Sequence, residues 1–274
     1  MFDIITVVFS PELESLRLQA RSIDIYCGRV DLGHIVVVIN DDLAPEQIPK
    51  HWWGTRADHV RVVHRSHWPE RYSADGWLSQ QVLKLLATEL CPSTWSMVLD
   101  AKTILVNDLD PDHLVDDQGR ICSGLYPVQT VFEPSRRISN AFWHTQITQC
   151  IAPAGVPFFF HNATVRKIIN EVPARTGQSL AQWFQQQGQV TEFIFYSSFV
   201  WWLYQGFDTL YNTERKHIQA CNVCHSEVDQ FDTKFAAMLA RNFLTVSVHR
   251  HAWSRLSQQQ QQQYTEYLRS RHIE

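Results

Sequence analysis

The chain has 274 residues, 45% of them hydrophobic and 19% charged, proportions that exclude a mostly disordered protein. Its 24 Lys and Arg stand against 28 Asp and Glu, a net charge of −4. That balance argues against generic nucleic-acid binding, which needs surplus cations to displace counterions from phosphates. The length fits one large α/β domain or two small ones.

Residues 4–9 form a continuous apolar, β-branched run, the pattern of a strand covered on both faces. Ser10, Pro11 and Glu12 then read as a helix start with Ser10 as the cap, and Leu13, Leu16, Ala20 and Ile23 follow at helical spacing. A second buried-looking strand spans 34–39 and ends in Asn40 and Asp41. Segment 50–71 carries five Lys or Arg and four His with Trp52, Trp53 and Trp68 among them. It shows neither periodicity and reads as an exposed loop, with an acidic or phosphorylated acceptor as the functional alternative. A helix over 77–90 and a third strand over 95–99, ending at Asp100, complete a strand–helix order that implies a parallel sheet with right-handed crossovers. Ligands bind beyond the carboxyl ends of such strands, so Phe9, Asn40 and Asp100 should converge on one rim.

The second half reads as more helical, with helices near 139–150, 163–172, 180–187 and 192–205 and a strand over 243–248 before His249. The expected organisation is a single domain: a nucleotide-binding half at 1–106, an acceptor-side half at 107–256 and a C-terminal helix at 257–274. The glutamine run 258–263 belongs to the solvated side of that helix. The longest apolar run, 193–204, is interrupted by Ser197 and Ser198 and falls short of the about 20 residues of a membrane span. With no secretory signal at the start and six Cys, the expectation is a cytoplasmic protein with reduced thiols. Cys221 and Cys224 with His225 match a haem-attachment pattern, which needs export; a reduced pair in a loop is the expectation. Walker A, Gly-x-Gly-x-x-Gly and Gly-x-Ser-x-Gly patterns are missing from the sequence.

The most informative segment is 76–106, in which a helix carrying Gln80, Gln81 and Lys84 leads into the strand that ends at Asp100. This arrangement resembles GT-A nucleotide-sugar glycosyltransferases. More narrowly, it resembles an uncharacterised bacterial and phage family with a GW-x-x-QQ-x-x-K helix before an LD-x-D-T strand end. The resemblance implies a GT-A-like α/β fold: a Rossmann-type, mostly parallel central sheet with helices on both faces and a more helical C-terminal half. It implies transfer of a sugar from a nucleoside-diphosphate donor, UDP above all, to a glycan, lipid-linked or protein acceptor. In that family two strand-end aspartates hold Mn2+ or Mg2+ on the donor diphosphate, where the cation acts as a Lewis acid. Here Asp100-Ala101-Lys102 stands in place of Asp-x-Asp. On an extended backbone Lys102 would point to the side of the missing carboxylate.

Three readings follow. Asp100 binds metal with a late histidine, His249 or else His251. Or Lys102 itself neutralises the diphosphate and little or no metal is needed. Or Asp100 caps a turn and Lys102 is solvated. Asp108-Leu109-Asp110 is a competing register, with a polar turn as its plain account. The resemblance places donor contacts at Thr6, Phe9, Arg17 and Asn40, with Lys84 near the sugar or diphosphate; the plain alternatives are core for Thr6 and Phe9 and a surface position on the helix for Arg17. Glu192 is expected in the first turn of a helix and facing outward; it would deprotonate the acceptor in an inverting enzyme, bind the acceptor in a retaining one, or serve only as an acid favoured by the helix dipole. His161 and Asn162 are candidates for sugar hydroxyls or a helix cap. The alternative to an enzyme is a non-catalytic nucleotide- or glycan-binding protein that keeps the fold.

Overall fold

A computed structural model describes residues 2–69, 76–152, 155–215 and 219–274. Four strands run parallel at its centre: β1 (Phe2–Val8), β2 (Leu32–Ile39), β3 (Val60–His64) and β4 (Trp95–Asp100). Among the described residues the sheet has the order β3-β2-β1-β4 with a fifth, antiparallel strand beside β4. All seven residues of β1 are buried although alternate side chains point to opposite faces, so both faces of the sheet are covered. Helix α1 (Leu13–Tyr26) contributes Leu16, Ala20 and Ile23 to that core, and α2 (Gly76–Leu86) contributes Val82, Leu85 and Leu86.

The registers Val8↔Ile39, Val7↔Asp100 and Ile39↔His64 bring the carboxyl ends of all four parallel strands to one rim. A small second sheet continues the construction of that rim. In it β5 (Ile104–Leu105) pairs antiparallel with the strand Thr245–Val248, whose end delivers His249. This sheet has its own core, closed by Tyr264, Tyr267 and Leu268 of the C-terminal helix Gln258–Ser270. Ser257 and Gln260 cap that helix reciprocally, so the glutamine run begins with its own start signal.

Several expectations change. Segment 50–71 is not a loop: it folds as 3-10 turns over Lys50–His59 and then as the edge strand β3, with Trp53 fully buried. Glu70 and Arg71 lie outside the described residues. Ser10 does not cap a helix; its hydroxyl and backbone N–H both donate to Asp41 Oδ2 at 2.6 Å, joining the ends of β1 and β2. The helix expected over 139–150 is Glu133–Trp143, which starts with Pro134 in its first turn and stops at His144 in the left-handed conformation. Cys221 lies on a strand, Ala220–Val223, and all six cysteines are free. His161 ends the antiparallel strand Phe158–His161 opposite Trp95, at the other edge of the sheet from the rim. Asn162 there is locked onto Ser93 O and Ser96 Oγ, so neither residue serves the rim.

At the amino ends of the strands Asp3 carries the equivalent structural load. Its buried carboxylate accepts from His34 N at 2.6 Å and Ser93 N at 2.9 Å, tying β1 to β2 and to the approach of β4. Gly33 has to be a glycine there, because a Cβ would stand 2.3 Å from Asp3 Oδ1. Replacing Asp3 by Ala orphans two backbone donors and should lower unfolding free energy by about 2–4 kcal/mol, read from urea denaturation.

Candidate functional site

A cavity of about 750 Å³ opens on the rim. Helix α2 presents Trp77, Gln80, Gln81 and Lys84 to it, residues three and four apart on one face, while its other side enters the core. The floor is the end of β4. Residues 101 and 102 form a turn rather than continuing the strand, closed by Thr103 N donating to Asp100 O at 2.8 Å. Gln19 fixes the turn from below: its amide donates to Asp100 O at 2.6 Å and Thr103 O at 3.0 Å, and accepts from Thr6 Oγ1 at 2.8 Å. Thr6 therefore supports the site through Gln19 and does not line it.

A line of four charges crosses the cavity. Glu192 Oε1 accepts from Lys84 Nζ at 2.9 Å; Lys84 Nζ stands 2.8 Å from Asp100 Oδ1; and Lys102 Nζ donates to Asp100 Oδ2 at 2.7 Å. The middle contact is an ion pair and not an aligned hydrogen bond. Lys84 is only 4% exposed, yet two carboxylates overcome the burial penalty and keep it charged, its pKa raised. Burial alone would raise the Asp100 carboxyl, but Lys102 and Lys84 hold it far below the carboxylate range. Glu192 is 1% exposed, and there burial wins over Lys84, so its pKa is raised. The outward-facing Glu192 expected from its helix-start position is thus corrected: in Glu192–Tyr204 it points inward to Lys84.

Two guanidinium groups and a histidine lie along the same cavity. Arg250 lies over the Phe9 ring with its guanidinium carbon 4.7 Å from the centroid, and Arg65 donates to Asn40 O at 3.1 Å. His249 Nδ1 accepts from His251 N at 3.2 Å, capping the short helix Arg250–Trp253. An accepting Nδ1 leaves the proton of the neutral ring on Nε2, which is then a donor. The ring is neutral because burial, then Lys102 and neighbouring His251 and Arg250, push its pKa down to about 4.

The expected metal set does not fit this arrangement. Each oxygen of Asp100 faces an ammonium group, at 2.8 and 2.7 Å, and His249 offers an N–H where a metal needs a lone pair. No cluster of three or more His, Cys, Asp or Glu that could hold a metal ion occurs among the described residues. The donor set instead suits an anion.

A family model described as Family of unknown function (DUF6492) matches residues 10–268. The chain belongs to this family. No curated protein matches the sequence. Among solved structures, it is similar to the galactosyltransferase LgtC in complex with donor and acceptor sugar analogs, at 11% identity, 98% of this chain, 96% of that one and a TM-score of 0.46. It is also similar to the apo form of mouse xyloside xylosyltransferase 1, at 10% identity, 92% and 98% coverage and a TM-score of 0.44. A third is the glycosyltransferase GlyE of Streptococcus pneumoniae TIGR4, at 12% identity, 97% and 60% coverage and a TM-score of 0.45.

Of the residues singled out in this family member's sequence, Phe9, Asn40, Lys84, Asp100, Lys102, Glu192 and His249 line the cavity together. Arg17 does not; it lies on the outer side of α1, paired with Glu14 at 2.6 Å. Asn40 lines the wall, but its amide is committed to Gly76 O at 2.9 Å and Ser79 Oγ at 2.6 Å, which anchors α2 to β2. Asp110 of the competing register caps the turn Pro111–Leu114 and pairs with Arg29, away from the cavity. Sequence reasoning gave Glu12, Trp77 and Arg250 no place in the site and read Arg65 only as part of the basic segment 50–71. Glu12 was legible only as a helix-start acid, yet it is buried in the wall, and burial raises its pKa against the pull of Lys102.

Lys84 is the centre of the line, and its removal has a defined signature. Lys84→Met leaves the buried Glu192 without its cation and should destabilise the protein by about 3–5 kcal/mol at neutral pH. Without Lys84 the folded-state pKa of Glu192 rises further, so the folded state binds the proton more readily than the unfolded chain. The deficit relative to wild type is largest at neutral pH and narrows as pH falls toward about 4.3, the unfolded glutamate value. Urea unfolding at a series of pH values measures it.

Proposed function

We propose that the protein is a glycosyltransferase that moves a sugar from a nucleoside-diphosphate donor, UDP-sugar first among candidates, to a hydroxyl of a glycan, lipid-linked or protein acceptor. The observation that carries this reading is the charged line itself, set at the carboxyl ends of parallel strands in a cavity large enough for a substrate. Glycosyl transfer expels an anionic diphosphate, and Lys102, Arg250 and the His249 Nε2–H are the kinds of donors that stabilise charge developing on a leaving group. Phe9, whose ring already stacks under Arg250, supports binding of the nucleoside at the end of β1. Trp77, 45% exposed beside Gln80, gives the mouth an aromatic surface suited to a sugar ring.

Glu192 is the acceptor-side carboxylate in this reading. Burial raises its pKa, which makes it a better proton acceptor than a free carboxylate, and Lys84 holds it in place. Gln19 and Thr6 act through the turn that aims Asp100 and Lys102. Because the donors fit an anion and not a cation, no step is assigned to Mn2+ or Mg2+.

A second reading, a non-catalytic nucleotide- or glycan-binding protein, draws on the ion pairing that engages both Asp100 and Glu192. Turnover separates the two. Mass spectrometry after incubation with a panel of nucleotide sugars should find released nucleoside diphosphate, with water as the acceptor of last resort. Glu192→Gln should lower that turnover by about 10²–10⁴-fold while UDP affinity, measured by calorimetry, stays near wild type. Binding of UDP without any release from the whole panel would favour the non-catalytic reading.

A further inference from the structure

We propose that Lys102 is a mobile cation that takes the place of a divalent metal: it leaves Asp100 for the phosphate oxygens of the donor while Lys84 remains on Asp100. The site then grips its diphosphate without any metal ion. The proposal deepens the glycosyltransferase reading and rests on it for the identity of the donor.

The two lysines differ in what holds them. Lys84 is 4% exposed, lies between two carboxylates at 2.8 and 2.9 Å, and sits 5.1 Å from the centroid of the Phe193 ring. It has no path outward that does not strand Glu192. Lys102 is 20% exposed, projects from a turn and is ion-paired to Asp100 at 2.7 Å. Moving it leaves Asp100 still paired through Oδ1. One lysine is therefore fixed and the other is free to be exchanged.

Charge balance gives the reason for exchange. Along the line two carboxylates meet two ammonium groups, so the resting line is neutral and offers no net attraction to an anion. A diphosphate at the rim supplies Lys102 with a second anionic partner and converts the line into a fixed Glu192–Lys84–Asp100 unit plus one free cation beside Arg250. In the transfer step the bond between the anomeric carbon and the diphosphate oxygen breaks and its electron pair stays on that oxygen. The acceptor oxygen bonds to the anomeric carbon, and its proton passes to Glu192. Lys102 meets the negative charge on the departing oxygen, the task a metal performs elsewhere.

Calorimetry with UDP and with inorganic pyrophosphate, each in EDTA and in manganese, tests this. The wild type should bind both in EDTA, with affinities within about twofold of those in manganese. Lys102→Met should weaken binding in EDTA by about 30-fold, the loss of one charge-assisted contact. Lys102→Asp rebuilds the Asp-x-Asp pair and should abolish binding in EDTA but restore part of it in manganese. Thermal unfolding of each variant verifies that it is folded, and the wild-type comparison stands without any variant. Wild-type binding that requires manganese, or Lys102→Met binding with unchanged affinity, overturns the proposal. Metal-free binding of pyrophosphate with no nucleoside diphosphate bound keeps the lysine assignment and removes the donor reading; failure of both ligands removes both.

Discussion

The structure depends on one carboxylate held between two ammonium groups. Asp100 ends a strand whose preceding residues are buried, and a lone charge there would be expelled or neutralised. Lys102 and Lys84 prevent that, and Lys84 in turn is tolerable in the interior only because Glu192 meets it from the other side. Buried ion pairs of this kind add little net stability compared with well-packed apolar groups, since desolvation offsets most of the attraction. Their persistence here is better explained by what they do at the rim, where they hold charge in readiness beside an open cavity.

The surrounding scaffold works to keep that arrangement in register. Gln19 spends its whole side-chain amide on Thr6 and on two carbonyls of the turn after β4, so the direction of Asp100 is set from α1. Asn40 does the same for α2, binding its first turn to the end of β2 and so fixing the height of Lys84. Asp41 clamps Ser10, which holds the start of the α1 segment against β2. Gln19 and Asn40 are interior polar groups with their partners supplied, which makes them rigid and specific. A shift in any one would be felt as a displacement of charge in the cavity.

The cavity as a whole is balanced in the same way. Its lining places Arg65, Lys84, Lys102 and Arg250 against Glu12, Asp41, Asp100 and Glu192, with His249 neutral. A site with equal opposite charges differs from a permanently positive funnel: it does not attract anions from a distance and must rearrange its own pairs to bind one. That suits a chain that is slightly acidic overall and whose rim nevertheless offers cationic donors at short range.

How far the sequence reached follows from the range of the interactions involved. β1, β2, β4, α2 and the polar rim were legible because each rests on a local period or on a fixed rule about strand ends. β3 was hidden because Val60–His64 is an edge strand whose Arg and His side chains mask the alternation of Val60, Val62 and the residues that cover them. Ser10 looked like a cap since Ser before Pro is a common start signal, and only a partner at position 41 could redirect it. The strongest case is Glu192. Its local signal, an acid in the first turn of a helix, is the same whether the side chain faces water or the core. Lys84 decides the matter from 108 positions away. The sequence rule that placed Lys102 beside Asp100 assumed an extended backbone; a turn closed by Thr103 N on Asp100 O and braced by Gln19 brings the ammonium to the same carboxylate by another route. Local chemistry thus identified which groups would gather, while the partner each would take was set by contacts between distant segments, and it is those pairings that turn an expected metal ligand into the anchor of two lysines.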